Sequence, residues 1–109
     1  MAYKSIVAMV KPDLTDTVIK SAKEAGVTGA TIIPASGTGA HEAKTFFGLS
    51  LDVRTDVILF LVEDEMVEVV LSAIKEAGKF SEPGTGIAFV LAVEQTAGFE
   101  SQLSKSQRS

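Results

Sequence analysis

Hydrophobic positions follow two alternating periods along the first 95 residues. Short, nearly continuous apolar or β-branched runs predict four strands, at residues 3–10, 27–35, 57–62 and 87–93. Between the first two strands, and again between the last two, apolar residues recur every three or four positions, as on one face of an α-helix. The predicted order of elements is therefore strand–helix–strand, given twice.

The two predicted helices have definable ends and apolar faces. Thr15 and Asp64 are of the residue types that cap helix N-termini. Gly26 and Gly78 lie where each helix is expected to end. The apolar faces comprise Leu14, Val18, Ala22 and Ala25 in the first helix, and Val67, Val70, Leu71, Ile74 and Ala77 in the second.

The βαββαβ order is typical of the ferredoxin-like α+β sandwich, a four-stranded antiparallel sheet with two helices on one face. In this topology the end of strand one, the connection between strands two and three, and the start of strand four share one end of the sheet. We expect residues 1–95 to form this single domain, with a loop at 37–54. Residues 96–109 are rich in Ser and Gln and are expected to form a flexible tail.

The strands are more apolar than one covered sheet face requires. Strands one, three and four are apolar at nearly every residue, whereas a sheet with one wet face shows alternation. Two helices cover only one face, so self-association around a symmetry axis is expected to bury the other. A monomer with an exposed apolar patch is the alternative, and it fits poorly with solubility.

Composition narrows the function classes. The 109 residues carry a net charge of −4, and there is no cysteine for a disulfide, thiolate metal site or thiol nucleophile. No basic stripe with interleaved aromatics is present, so nucleic acid is not an expected partner. No apolar run approaches the roughly 20 residues of a membrane-spanning helix. The first residues lack a signal-peptide pattern, and a cytoplasmic location is expected.

Two Gly-Thr-Gly turns lie at predicted strand ends. Gly37-Thr38-Gly39 follows the second strand, and Gly84-Thr85-Gly86 precedes the fourth. Glycine serves where the backbone takes a positive φ or approaches another group closely, and successive free N–H groups can bind an anion. Both turns and Lys11 are expected at the same end of the sheet, where they would frame a small-anion or nucleotide site. Simple tight turns are the competing interpretation.

The loop at 37–54 contains two further candidates. His41 is the only histidine and precedes Glu42, but one imidazole and one carboxylate make a weak metal site. Local hydrogen bonding of His41 is the alternative. The loop is also amphipathic, and its apolar residues are expected either to dock on a partner protein or to fold back on the sheet end; this set comprises Lys44, Phe46, Phe47 and Leu49.

An acidic cluster precedes the second helix. Because negative charge is favourable near a helix N-terminus, a structural role is expected for it. The cluster comprises Glu63, Asp64, Glu65 and Glu68.

Four segments of the chain together match the pattern of a known family. They are Val10-Lys11-Pro12, Gly26-Val27-Thr28-Gly29-Ala30-Thr31, Gly37-Thr38-Gly39 and Gly84-Thr85-Gly86-Ile87-Ala88-Phe89-Val90. On these segments, and over roughly residues 3–95, the chain resembles the P-II nitrogen regulatory protein family. The resemblance implies a homotrimer that binds ATP or ADP in clefts between subunits and regulates a transporter or an enzyme through a mobile loop between strands two and three. It implies no catalytic residue and no required cofactor.

The resemblance also assigns roles by position. Thr31 corresponds to an adenine contact, Gly37-Thr38-Gly39 to the base of the mobile loop, and Gly84-Thr85-Gly86 to the phosphate-binding turn. His41 falls where the family has a glutamine that helps to hold magnesium. The family's phosphate-binding lysine falls on Ile87, and residues 94–99 lack its two arginines. Because isoleucine cannot replace lysine in that role, a less charged nucleotide or another small ligand is expected.

These patterns lead to one main hypothesis and two alternatives. The main hypothesis is a regulator, not an enzyme, that senses an adenine nucleotide or small anion in nitrogen or carbon metabolism. The alternatives are a small oligomeric enzyme with a pocket between sheet and helices, and a metal-binding trimer of the same fold. A bound ligand distinguishes the enzyme from the regulator, because it would lie in the sheet–helix pocket of one chain and not between subunits at the glycine turns. Metal titration of the unmodified protein and of His41→Ala distinguishes the metal-binding trimer from the regulator.

Overall fold

A computed structural model of the chain describes residues 2–36, 45–46, 49–50 and 54–98. In chain order the elements are β1 (Tyr3–Val10), α1 (Thr15–Glu24), β2 (Thr31–Ser36), β3 (Thr45–Phe46), β4 (Leu49–Ser50), β5 (Arg54–Glu63), α2 (Val67–Ala77) and β6 (Gly86–Ala92). Four of the strands lie side by side in the order β2-β5-β1-β6, and each is antiparallel to its neighbours. The predicted ferredoxin-like α+β sandwich is therefore confirmed.

Both helices cover the same face of the sheet, hereafter the covered face. Alternate residues of the central strands meet the predicted apolar faces of the helices, and each of them is at most 4% exposed. This packing confirms the helix faces except at Leu14, which precedes α1 and lies outside the shared core. The shared core comprises Ile6, Ala8 and Val10 of β1, Ile58, Phe60 and Val62 of β5, Val18 and Ala22 of α1, and Val70 and Ile74 of α2.

The other side of the sheet, hereafter the open face, is also apolar. Leu61, Leu91 and Ile33 remain 37%, 50% and 45% exposed there, because no element that the structure describes packs over them. The strand register places the following residues on the open face: Ile33, Val7, Met9, Val57, Leu59, Leu61, Ile87, Phe89 and Leu91.

The second strand begins later than the sequence predicts. The pattern places its start at Val27, whereas β2 begins at Thr31. The N–H of Val27 bonds the carbonyl of Ala22 at 3.1 Å and that of Gly26 bonds Lys23 at 3.0 Å, so both residues belong to the turn that closes α1. Gly26 has φ +122°, as expected for a glycine that ends a helix. Apolar Val27 is buried through this turn and not through a sheet.

Both predicted N-caps are wrong. One turn of 3-10 helix precedes each α-helix, so Leu14 and Met66 occupy the N-cap positions, without side-chain capping bonds. The Thr15 hydroxyl instead donates to the Asp56 carboxylate of β5 at 2.6 Å. The Asp64 carboxylate lies 3.9 Å from Lys4 Nζ. Both side chains tie a helix start to the sheet.

A short hairpin lies within the predicted 37–54 loop. β3 and β4 pair antiparallel, with Thr45 opposite Ser50 and Phe46 opposite Leu49. The sequence pattern did not predict these two-residue strands, because two residues are too few to show an alternation.

Candidate functional site

The elements that carry the predicted site meet at one end of the sheet. Val10, the last residue of β1, pairs with Gly86, the first residue of β6. Ser36 ends β2 opposite Arg54, which begins β5. The second glycine turn and Lys11 therefore adjoin each other across two paired strand ends. The expected common end of the sheet is confirmed for these described residues.

Several predicted site residues lie outside the described part of the chain. They are Gly37, Thr38, Gly39, His41, Lys44 and Phe47. Phe46 and Leu49 are described only as backbone in β3 and β4. Their suggested roles in ligand, metal or partner binding stay predictions.

The second glycine turn is built by two consecutive tight turns. The Glu82 N–H donates to the Lys79 carbonyl at 2.9 Å, and the Thr85 N–H donates to the Glu82 carbonyl at 3.4 Å. In the second turn Pro83 and Gly84 are the central residues, and Gly84 has φ +79°. Proline followed by a glycine of positive φ is the pattern of a type II turn. Gly84 is therefore required by its backbone conformation.

Thr85 closes the two turns with its side chain. Its Oγ lies 2.6 Å from the carbonyl oxygen of Lys79 and 2.9 Å from that of Glu82. The residue is only 7% exposed. The hydroxyl that the sequence offers as a ligand group therefore points into the loop itself.

Gly86 is required for a different reason. A Cβ there would lie 2.6 Å from the backbone oxygen of Met9 and would overlap the ring of Phe80. A Cβ on Gly78 would collide with the same ring, at 2.8 Å from its Cδ1 atom. Phe80 thus occupies the space that two glycines leave open. Phe80 was not among the predicted site residues, although an aromatic residue spaced between two glycines was an available signal.

The end of α2 fixes the start of the segment that leads to the second glycine turn. The Phe80 N–H bonds the carbonyl of Lys75 at 3.0 Å, and the Lys79 N–H bonds that of Glu76 at 3.2 Å. These bonds form a Schellman motif, in which the residue after the C-cap takes a left-handed conformation. That residue is Lys79, with φ +57°, whereas the C-cap Gly78 has φ −83°. Gly78 ends the helix as predicted, but the unusual backbone belongs to the lysine.

Among the described residues, two lysines adjoin the second glycine turn. Lys11 and Lys79 are exposed. Ile87 pairs with Met9 and lies on the open face. The position where the resembling family has a phosphate-binding lysine is thus part of an apolar layer.

Thr31 lies apart from this turn. It is exposed in β2, at one edge of the sheet, whereas Gly86 begins β6 at the other edge. Three strand spacings, or about 14 Å, separate these edges. A single chain therefore does not bring Thr31 and the second glycine turn into one pocket.

Two surface cavities lie on the helix side. One of about 400 Å³ adjoins the end of α2, and one of about 570 Å³ lies between α1 and α2. Neither is lined by a strand residue, so neither matches the sheet–helix pocket of the enzyme alternative. The smaller is lined by Ser72, Lys75, Glu76, Lys79, Ser81 and Glu82, and the larger by Thr17, Ser21, Ala25, Val69, Ser72, Ala73, Glu76 and Ala77.

Within the described ranges, no three side chains of His, Asp or Glu come together as a metal ion would require. Of the helices that the structure describes, none has the length and apolar character to cross a membrane.

Comparisons with known proteins agree with the fold. A family model described as Nitrogen regulatory protein P-II matches residues 3–101. The Nitrogen regulatory protein P-II of Rhodobacter capsulatus is 30% identical over 97 residues, which covers 84% of this chain and 87% of the relative. That of Rhodospirillum rubrum is 31% identical with the same coverage. Nitrogen regulatory protein GlnK1 of Methanosarcina mazei is 29% identical over 101 residues, covering 86% of each.

The family match spans both βαβ halves and the connection between them. It includes β1, the two glycine turns and β6, the segments on which the resemblance rests. The chain therefore belongs to the P-II nitrogen regulatory protein family.

Proposed function

We propose that this regulatory protein senses a small ligand, an adenine nucleotide or a small anion, in clefts between the subunits of a homotrimer. Ligand binding regulates a partner enzyme or transporter in nitrogen or carbon metabolism. The protein acts as a regulator and not as an enzyme, needs no cofactor, and works in the cytoplasm. Family membership supports the regulatory role.

The main support for a cleft between subunits is the placement of Thr31 and the second glycine turn. They lie on opposite edge strands of one sheet. If both contact one ligand, as the family resemblance implies, they must come from two different chains. A symmetric ring of chains supplies this arrangement at every subunit boundary.

The open face supports the assembly. Its exposed leucine and isoleucine side chains form an apolar surface that a soluble monomer rarely presents. Packing three such faces around one axis removes them from water. Each Å² of apolar surface buried in this way contributes about 25 cal/mol.

The charges favour a ligand that is less anionic than ATP. Lys11 and Lys79 adjoin the second glycine turn in the part of the chain that the structure describes, and Ile87 contributes no charge. Each missing charge-assisted hydrogen bond costs about 1.5–3 kcal/mol of binding. ATP is therefore expected to bind no better than ADP or AMP.

The loop at 37–54 is assigned to the partner. Lys44, Phe46, Phe47 and Leu49 give it an amphipathic sequence, and ligand binding at its base would change how it presents these residues. His41, in the same loop, is a weak candidate for a metal ligand.

Calorimetric titration of the purified protein with ATP, ADP and AMP tests the proposal. We expect binding of one nucleotide per chain, with affinities for the three within about tenfold, or 1.4 kcal/mol. The matched variant is Lys11→Gln, which removes one charge beside the turn and should weaken ADP more than AMP. Absence of binding by all three nucleotides would contradict a nucleotide sensor. A preference for ATP above tenfold would contradict the charge argument alone.

A further inference from the structure

We propose that Thr85 is a positioning residue, which holds the segment 79–86 in its binding conformation and does not itself contact the ligand. We call this segment the 79–86 loop. The inference rests on the proposed function, because it assumes that the second glycine turn binds the ligand. It departs from the role that the sequence suggests for Thr85.

The side-chain contacts of Thr85 are the first evidence. A threonine hydroxyl has one proton to donate. The two nearest acceptors, at 2.6 and 2.9 Å, are carbonyl oxygens of the loop, from Lys79 and Glu82. Because these oxygens compete for that one proton, the hydroxyl has none left to donate to a ligand. With 7% of the residue exposed, little of its surface is accessible from outside.

The spacing of these contacts is the second evidence. Lys79, Glu82 and Thr85 are three residues apart, and backbone bonds already link each to the next. The bond from the Thr85 N–H to Glu82 is 3.4 Å long and therefore weak. The Thr85 side chain reaches the same carbonyl at 2.9 Å and also joins the far end of the loop. One hydroxyl thus holds both turns together.

The two ends of the loop are fixed independently. At one end the left-handed backbone of Lys79 completes the Schellman motif of α2. At the other, Gly86 pairs with Val10 in the sheet. Phe80 packs against Gly86 and Gly78, near both ends. With the ends fixed, the conformation of Glu82 to Thr85 depends on the hydroxyl of Thr85.

If Thr85 holds the 79–86 loop in its binding conformation, its hydroxyl should affect the rate at which the ligand associates. If only a fraction of the molecules has the binding conformation, the apparent affinity falls by that fraction. Loss of the Thr85 hydroxyl should therefore lower the rate of association and leave dissociation unchanged. Loss of a direct ligand contact would instead speed dissociation.

The test compares Thr85→Val with Thr85→Ser in the full chain. Valine keeps the shape of threonine without the hydroxyl, whereas serine keeps the hydroxyl. Stopped-flow binding of a ribose-labelled fluorescent ADP should show association about tenfold slower for Thr85→Val, with unchanged dissociation, and near-normal rates for Thr85→Ser. Amide hydrogen exchange at Glu82 and Thr85, measured without nucleotide, should speed up only in Thr85→Val.

Two results would overturn the proposal. Faster ADP dissociation with unchanged exchange would mean that Thr85 contacts the ligand. Unchanged exchange and unchanged binding would mean that the hydroxyl does not hold the loop. If the unmodified protein does not bind ADP, the nucleotide function fails and the ligand half of this inference with it. The exchange comparison, which needs no nucleotide, still decides whether Thr85 holds the loop.

Discussion

The two faces of the sheet have nearly the same apolar character and very different surroundings. On the covered face Ile58 and Phe60 are at most 1% exposed, beneath the two helices. Their neighbour Leu61, on the open face, is 37% exposed. The sequence encodes apolar residues on both faces, but one chain supplies a cover for only one of them. The open face is therefore the surface that the proposed homotrimer would bury.

The largest expected effect concerns the open face. Leu59→Glu places a carboxylate at its centre, on the strand between Val7 and Thr31. Burying an unpaired charge costs several kcal/mol, so light scattering should show a fall from about three chains per particle to one.

Val69→Glu is the matched control for Leu59→Glu. Val69 is 51% exposed on α2, away from the sheet, and this variant should keep its assembly. If Leu59→Glu also remains a trimer, the open face is not the subunit interface and the comparison of the two faces fails.

Substitutions at two adjacent residues, one on each face of the sheet, measure how much each face is buried. Phe60→Ala on the covered face should lower the free energy of unfolding by about 3–5 kcal/mol, since it leaves a cavity. Leu61→Ala on the open face should cost about 2 kcal/mol if a neighbouring chain buries it, but less than about 0.5 kcal/mol if it faces water. Urea unfolding of the two variants measures both free energies. For Leu61→Ala we expect the value of about 2 kcal/mol, that of a side chain buried by a neighbouring chain.

Gly86→Ala tests the end of the covered face. The new Cβ would approach the Met9 carbonyl oxygen to 2.6 Å and overlap Phe80, so a loss of about 1–3 kcal/mol is expected. Gly29→Ala is the control, because a Cβ there meets nothing within 4 Å. Thermal unfolding should separate the two. Equal midpoints would show that Phe80 and the Met9 carbonyl both shift aside without cost.

The smallest effect concerns a polar contact in the covered layer. Thr15→Val removes the hydroxyl that bonds Asp56 and should cost about 1 kcal/mol in urea unfolding. Thr15→Ser keeps the hydroxyl and should stay close to the unmodified protein. If Thr15→Val is equally stable, apolar packing alone holds the start of α1 to the sheet.

Periodicity predicted the layers of this fold because each layer repeats over many residues. The helix faces around Val18 and Ile74 and the order of elements along the chain followed from spacing, and the sheet topology followed from the sandwich that this order is typical of. The helix starts did not follow from spacing, because Thr15 and Asp64 contact groups outside their own helices. The Thr15 hydroxyl bonds Asp56, which is remote in sequence, and Asp64 lies beside Lys4 and does not cap α2. Val27 looked like a strand residue because burial in a turn leaves the same apolar signature.

The sequence predicted where the second glycine turn lies in the fold, but not why each of its glycines is needed. The second glycine turn is at the expected end of the sheet, but one motif hides two requirements, a left-handed backbone at Gly84 and space at Gly86. Residue spacing cannot distinguish these two requirements, because the crowding at Gly86 comes from Phe80, which only the folded chain brings there. Nor does it indicate that Lys79, and not the glycine before it, takes the left-handed conformation at the end of α2.

The open face also bears on how the protein is made in a cell. In the proposed homotrimer, a newly synthesised chain would complete its covered core alone, and Leu91 and Ile33 would stay in water until it met other copies. During that interval it presents the kind of surface that chaperones bind and that drives aggregation. Yield should therefore depend on expression level in two opposing ways: more copies shorten the search for partners, and more unpartnered chains meet the wrong ones.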